Sequence, residues 1–116
     1  MKDLSAALRY ARALEGAVDN DAELAAAADE LSAVALVVGS DRQIEAALAS
    51  PALDVAHKRE LIDTLARGVG LSGKTVTLLK ILADRGSLPL LPMVAGSLSK
   101  IRDRRLGIVA AEVTTA

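Results

Sequence analysis

The sequence predicts an all-α fold, a compact six-helix bundle, on three observations. Apolar residues recur at three- and four-residue steps through nearly the whole chain. Strong helix formers dominate while strand formers are sparse; only 1% of the 116 residues are aromatic, with no Phe or Trp and the single tyrosine Tyr10. Gly, Pro and Asx/Ser clusters punctuate the apolar pattern at spacings that leave short connections. With 52% apolar content, the core must be built from Leu, Ile, Val and Ala, which favours closely approaching helices.

A first helix is expected from Asp3 to Val18, with Leu4, Ala7, Leu8, Ala11, Leu14 and Val18 on one side and Tyr10, Ala13 and Ala17 on an adjoining strip. The turn Asp19-Asn20-Asp21 leads to a second, in which Leu24, Ala27, Leu31, Val34 and Val38 repeat until Gly39 stops it. Ser40 and Gln43 have capping-box spacing and open a short third helix carrying Ile44, Ala47 and Leu48. Ser50-Pro51 ends that helix, because the residue before proline is pushed out of the α region. Asp54 is a cap for a fourth helix through Arg67, and Ser72 for a fifth holding Val76, Leu78, Leu79, Ile81 and Leu82. Gly86 breaks the fifth, and Pro89 and Pro92 suit the first turn of a last helix carrying Val94, Leu98, Ile101 and Ile108.

Composition narrows the function. A net charge of −1 and a pI near 5.8 argue against a nucleic-acid footprint, and the cluster Lys100, Arg102, Arg104 and Arg105 lacks interleaved aromatics. The chain has no cysteine, so disulfides and thiolate metal sites are excluded, and the lone His57 cannot head a zinc site. No apolar run reaches the roughly 18 to 20 residues needed to cross a bilayer. Pairs such as Glu60 and Asp63 read as surface decoration, so neither an enzyme, a metal nor a cofactor is expected.

Gly68 to Thr75, GVGLSGKT, spells the phosphate-loop pattern G-x-x-x-x-G-K-[ST]. A working loop needs a strand entering it, so that backbone N–H groups and the lysine are aimed at the phosphates. Here Leu61, Ile62 and Leu65 keep a helical period up to the loop, and no second strand ends in a magnesium-holding aspartate. The segment is expected to be an interhelical turn, with Gly68 and Gly70 ending one helix, Ser72 capping the next and Lys74 in solvent. A nucleotide-binding protein is the alternative.

The second apolar strip on the first helix, beside a fifth helix apolar nearly all round, suits a groove for an amphipathic partner helix, unless both strips are core. An interaction module with an unrelated partner is a third possibility.

Several segments resemble the δ subunit of bacterial F-type ATP synthase, the oligomycin-sensitivity-conferral protein family. They are Arg9-Tyr10-Ala11-Arg12-Ala13-Leu14; Leu48-Ala49-Ser50-Pro51 with Lys58, Leu61 and Ile62; Leu79-Lys80-Ile81-Leu82-Ala83 with Leu88-Pro89-Leu90-Leu91-Pro92; and Gly107-Ile108 leading to Ala111-Glu112-Val113-Thr114-Thr115-Ala116. The resemblance covers the family's N-terminal helical domain, placed at residues 1–110, with 111–116 beginning a linker to a C-terminal domain. It implies a non-catalytic stator that joins the catalytic head to the peripheral stalk at the cytoplasmic face of the plasma membrane, without inserting into it, and that is monomeric in isolation. It further implies that the groove between helices 1 and 5 receives the N-terminal helix of an α subunit, lined here by Tyr10, Ala13, Leu14, Ala17, Leu78, Ile81 and Leu82. The stalk's b subunits would contact the second domain. The family's usual phenylalanines correspond here to Glu15, Leu78 and Leu98, and its arginine before the Leu88 segment to Ser87. A carboxylate cannot replace a buried ring without a partner, so Glu15 must face solvent or the helix must shift register.

Overall fold

A computed structural model describes residues 2–107. They form α1 (Lys2–Ala17), α2 (Asp21–Ser40), α3 (Arg42–Ala49), α4 (Val55–Val69), α5 (Gly73–Asp84) and α6 (Leu91–Leu106), with a 3-10 turn at Leu88–Leu90. No strand occurs among the described residues, so the all-α bundle holds. Ile108 and the expected boundary at 110 lie outside the described residues.

The caps explain most boundaries. Asn20 accepts from the Glu23 N–H at the start of α2, and Asp54 from the His57 N–H at the start of α4. Two expectations are corrected at the α2–α3 junction. Gly39 does not stop α2, which continues through Ser40, and Asp41, not Ser40, caps α3 by accepting from the Gln43 and Ile44 N–H groups. One carboxylate oxygen, Asp41 Oδ1, takes both donors, at 2.9 and 3.2 Å, while the Ser40 hydroxyl donates back to the Val37 carbonyl of its own helix. Pro89 lies in the 3-10 turn, and Pro92 in the first turn of α6.

The longest seam is antiparallel, between α2 and α6, and polar pairs fix its register: Arg102 donates to Asp29 at 2.7 Å, Arg105 to Asp21 at 2.6 Å, and the Ser32 and Ser99 hydroxyls lie 3.4 Å apart. Between them Leu24, Leu31, Val34, Val94 and Leu98 are fully buried. The hairpin α4–α5 is clamped likewise, with Arg59 bidentate on Asp84 and Lys80 on Asp63. On α1 the core face is Ala7, Ala11 and Leu14; Leu4 and Leu8, expected on that face, are 52% and 37% exposed, because the helix turns them toward its outer edge. Those buried alanines are what let α6 and α5 both lie close against α1.

Candidate functional site

The phosphate-loop lookalike is an interhelical turn. Gly68 lies inside α4, and Gly70, at φ 82°, is the left-handed cap whose N–H donates to the Ala66 carbonyl. Gly70 is a position where a side chain would be strained. Ser72 makes no cap hydrogen bond to its own helix. Its N–H and hydroxyl both donate to Glu30 of α2, at 3.0 and 2.9 Å, so a carboxylate from another helix ties down the start of α5. Lys74 is partly exposed, as expected of a first-turn lysine, but it is paired. Its ammonium is 3.0 Å from Glu23 and 3.5 Å from Asp19, and these contacts, the Glu23 hydrogen bond first, raise its pKa. With a helix entering the turn and two carboxylates on the lysine, nothing in the local geometry resembles a phosphate cradle.

The α1–α5 seam has a different character. The two helices run antiparallel, since Tyr10 donates to the Ser87 hydroxyl at 3.5 Å at one end while Lys74 meets Asp19 at the other. At 3.6 residues per turn, Tyr10, Ala13 and Ala17 fall within about 60° of one another, and Lys74, Leu78 and Ile81 share a similar arc on α5, with Arg85 just past its C-terminal end. The two strips flank one seam. Of the seven residues expected there, Ala13 and Ala17 are exposed, Tyr10 is half-buried and Ile81 is 38% exposed. Leu14, Leu78 and Leu82 are buried beneath, at 3%, 5% and 0% exposure, as part of the core. The surface offered at this seam is therefore a row of small residues beside one isoleucine and one tyrosine.

Ala26 and Thr77, which carry no motif in the sequence, complete the seam. Where α1 ends, Ala17 and Val18 face Ala26 of α2 and Gly73, Lys74 and Thr77 of α5 across a depression of about 670 Å³. The signal for Thr77 was present in its four-residue spacing from Ile81; nothing local pointed to Ala26, which joins only through the α1–α2 turn. At the other end the Tyr10 hydroxyl is made more acidic than usual, first by the Ser87 hydrogen bond and then by Arg85 and Arg9.

Glu15 finds its partner without a register shift. Its carboxylate lies 3.5 Å from Arg105 on the α6 side of α1, away from the α5 seam, and Arg105 also holds Asp21. The basic cluster on α6 is partly consumed in the same way, with Arg102 on Asp29 and Asp103. Among the described residues no three His, Cys, Asp or Glu side chains converge as metal ligands, and no helix is long and apolar enough to cross a membrane.

Comparison with known proteins assigns the chain. A family profile described as OSCP, ATP synthase delta (OSCP) subunit, matches residues 6–116. The chain is 37% identical over 114 residues to the ATP synthase subunit delta of Oleidesulfovibrio alaskensis, covering 96% of this chain and 62% of that protein. It is 32% identical over 112 residues to the ATP synthase subunit delta of Geobacter metallireducens, covering 95% and 61%. With ATP synthase subunit 5, mitochondrial, of Eremothecium gossypii it shares 33% identity over 108 residues, covering 92% and 52%. The chain thus spans between 52% and 62% of the length of these relatives. No solved structure matches it. The chain belongs to the ATP synthase delta (OSCP) subunit family.

Proposed function

We propose that this chain is a non-catalytic stator element of an F-type ATP synthase, which seats the N-terminal amphipathic helix of an α subunit in the seam between α1 and α5. Family membership along nearly the whole chain supports the stator role. The observation that carries the seam is an apolar strip, Tyr10, Ala13, Ala17 and Ile81, left uncovered above a closed core. A docked helix would cover that strip, and the alanines would let its backbone approach closely. Tyr10 supplies a large contact with a polar tip. In this reading the α1–α5 seam faces the catalytic head, the stalk's b subunits are engaged through a further domain, and the protein sits peripherally at the cytoplasmic face of the bacterial plasma membrane. The role is mechanical: a stator resists rotor torque, so durable binding matters and turnover does not.

Isothermal titration with a synthetic N-terminal peptide of the corresponding α subunit tests this. One-to-one binding at micromolar Kd or tighter, worth about −8 kcal/mol, is expected, and absence of saturable heat would overturn the seam.

A further inference from the structure

The depression at the Ala17 end of the seam belongs to three helices, and its walls are small: Ala17 on α1, Ala26 on α2, and Gly73 and Thr77 on α5. Its base is apolar, with Ala27 buried and Val18 half-buried. A methyl group added at Gly73 would meet no atom within 4 Å. Ala17, Lys74 and Thr77 belong both to this hollow and to the α1–α5 seam, so the two are continuous. We infer that the hollow receives one bulky apolar side chain from the first turn of the helix docked along the seam, which then runs parallel to α5. The inference rests on the docking reading above and names the residue class and polarity of its partner.

Charge fixes the direction. The rim of the hollow carries two carboxylates, Asp19 and Glu23, sharing the single ammonium of Lys74. A helix presents about half a positive charge at its N-terminus and half a negative charge at its C-terminus. Its first turn is therefore attracted to this rim. At the opposite end, Arg9 and Arg85 flank Tyr10, and neither has a carboxylate partner among the described residues. That end suits the C-terminal turn.

Size fixes the anchor. This chain has no Phe or Trp with which to fill an apolar hollow from within. The hollow opens to solvent over an apolar base, so a bulky apolar side chain inserted from a partner would remove that surface from water.

The test is the substitution Ala26→Leu, read with the α-subunit N-terminal peptide. Ala26 is exposed on α2, outside the α1–α5 seam, and leucine is nearly as good a helix former as alanine, so the fold should survive. The expected result is a Kd weakened by about tenfold or more, with a thermal midpoint unchanged or raised. Ala13→Asp is the companion, because it reports on the seam alone. Loss of affinity in Ala13→Asp with none in Ala26→Leu would overturn the hollow and leave the docking reading standing. No effect of either substitution, or no binding by the parent protein, would overturn both. A nitroxide on the peptide's first residue should broaden the amide signals of Ala26 and Thr77; broadening at Tyr10 and Ser87 instead would reverse the polarity and overturn the inference.

Discussion

Helix α1 has two flanks, and they are finished differently. Toward α6, Glu15 meets Arg105, which also holds Asp21, and the interior behind them is packed with Leu24, Leu31, Val94 and Leu98 at essentially no exposure. Toward α5, the outer residues are Ala13, Ala17 and Ile81, with a Tyr10–Ser87 hydrogen bond at one end and the Lys74 cluster at the other. One flank is closed by leucines below and ion pairs above. The other is closed below by Leu14, Leu78 and Leu82 but left apolar and shallow above. The contrast separates what holds the bundle together from what remains available for a partner.

The largest effect should therefore come from the closed flank. Leu98→Ala removes a side chain with no exposure, in the α2–α6 seam, where the surroundings can collapse only partly. It should cost about 3 kcal/mol of stability, measured by denaturant unfolding, while the molecules that remain folded bind the α-subunit peptide with unchanged affinity. A cost under about 1 kcal/mol would mean that the core does not lie where the contrast puts it.

On the open flank the pattern inverts. Ala13→Asp or Ile81→Asp should cost only about 1 kcal/mol of stability, from the lower helix propensity of aspartate and its place near a helix C-terminus, because each residue is exposed. Either should weaken the peptide by about a hundredfold, because docking would bury a carboxylate against apolar surface. Unchanged titration isotherms for both variants would remove the functional half of the comparison.

How far the sequence revealed this division differs between the flanks. Helix number, order and approximate bounds followed from periodicity, and the deep residues Leu31, Val94 and Leu98 from their three- and four-residue steps. Periodicity does not say how wide a buried arc is: Leu4 and Leu8 share the spacing of Ala7, Ala11 and Leu14 yet are exposed, while Leu14, Leu78 and Leu82, expected to line a groove, are buried beneath the α1–α5 seam. Lys58 shows the converse. A lysine between His57 and Arg59 reads as surface, yet only 9% of it is exposed, in keeping with its spacing of four and seven residues from Ile62 and Leu65. Contacts distant in sequence were beyond reach: Glu30 on Ser72, Arg105 on Glu15 and Ala26 beside Thr77 depend on how the helices cross.

A smaller effect is expected from the ion pairs above the closed flank. Arg105 is about half-exposed and reaches Glu15 at 3.5 Å and Asp21 at 2.6 Å. Arg105→Met should lower stability by under about 1 kcal/mol, and the difference should shrink as salt is raised. If the loss instead rivalled that of Leu98→Ala, the ion pairs and not the leucines would be closing this flank.

The smallest effect lies away from both flanks, at the start of α4, and it separates stability from binding by pH. The Asp54 carboxyl is held below its usual pKa, first by the His57 backbone N–H and then by the His57 ring. The ring is 2.7 Å away, and its pKa is raised in turn by that hydrogen bond and by the Asp54 charge. A lowered carboxyl contributes stability that is present above its unfolded pKa of about 3.9 and is lost as pH falls through the lower folded value. A raised imidazole contributes stability that is present below its unfolded pKa of about 6.5 and is lost as pH rises through the higher folded value. The pair is thus worth most in mildly acidic solution. The thermal midpoint should show a shallow alkaline decline that His57→Ala abolishes, and Asp54→Asn should abolish it too while keeping an oxygen to cap the helix. The seam holds no histidine, the side chain whose ordinary pKa lies between about pH 5.5 and 8. Peptide affinity should accordingly stay flat across that range while stability drifts. A binding curve that followed the His57 titration would tie α4 to the open flank and break the separation between the two.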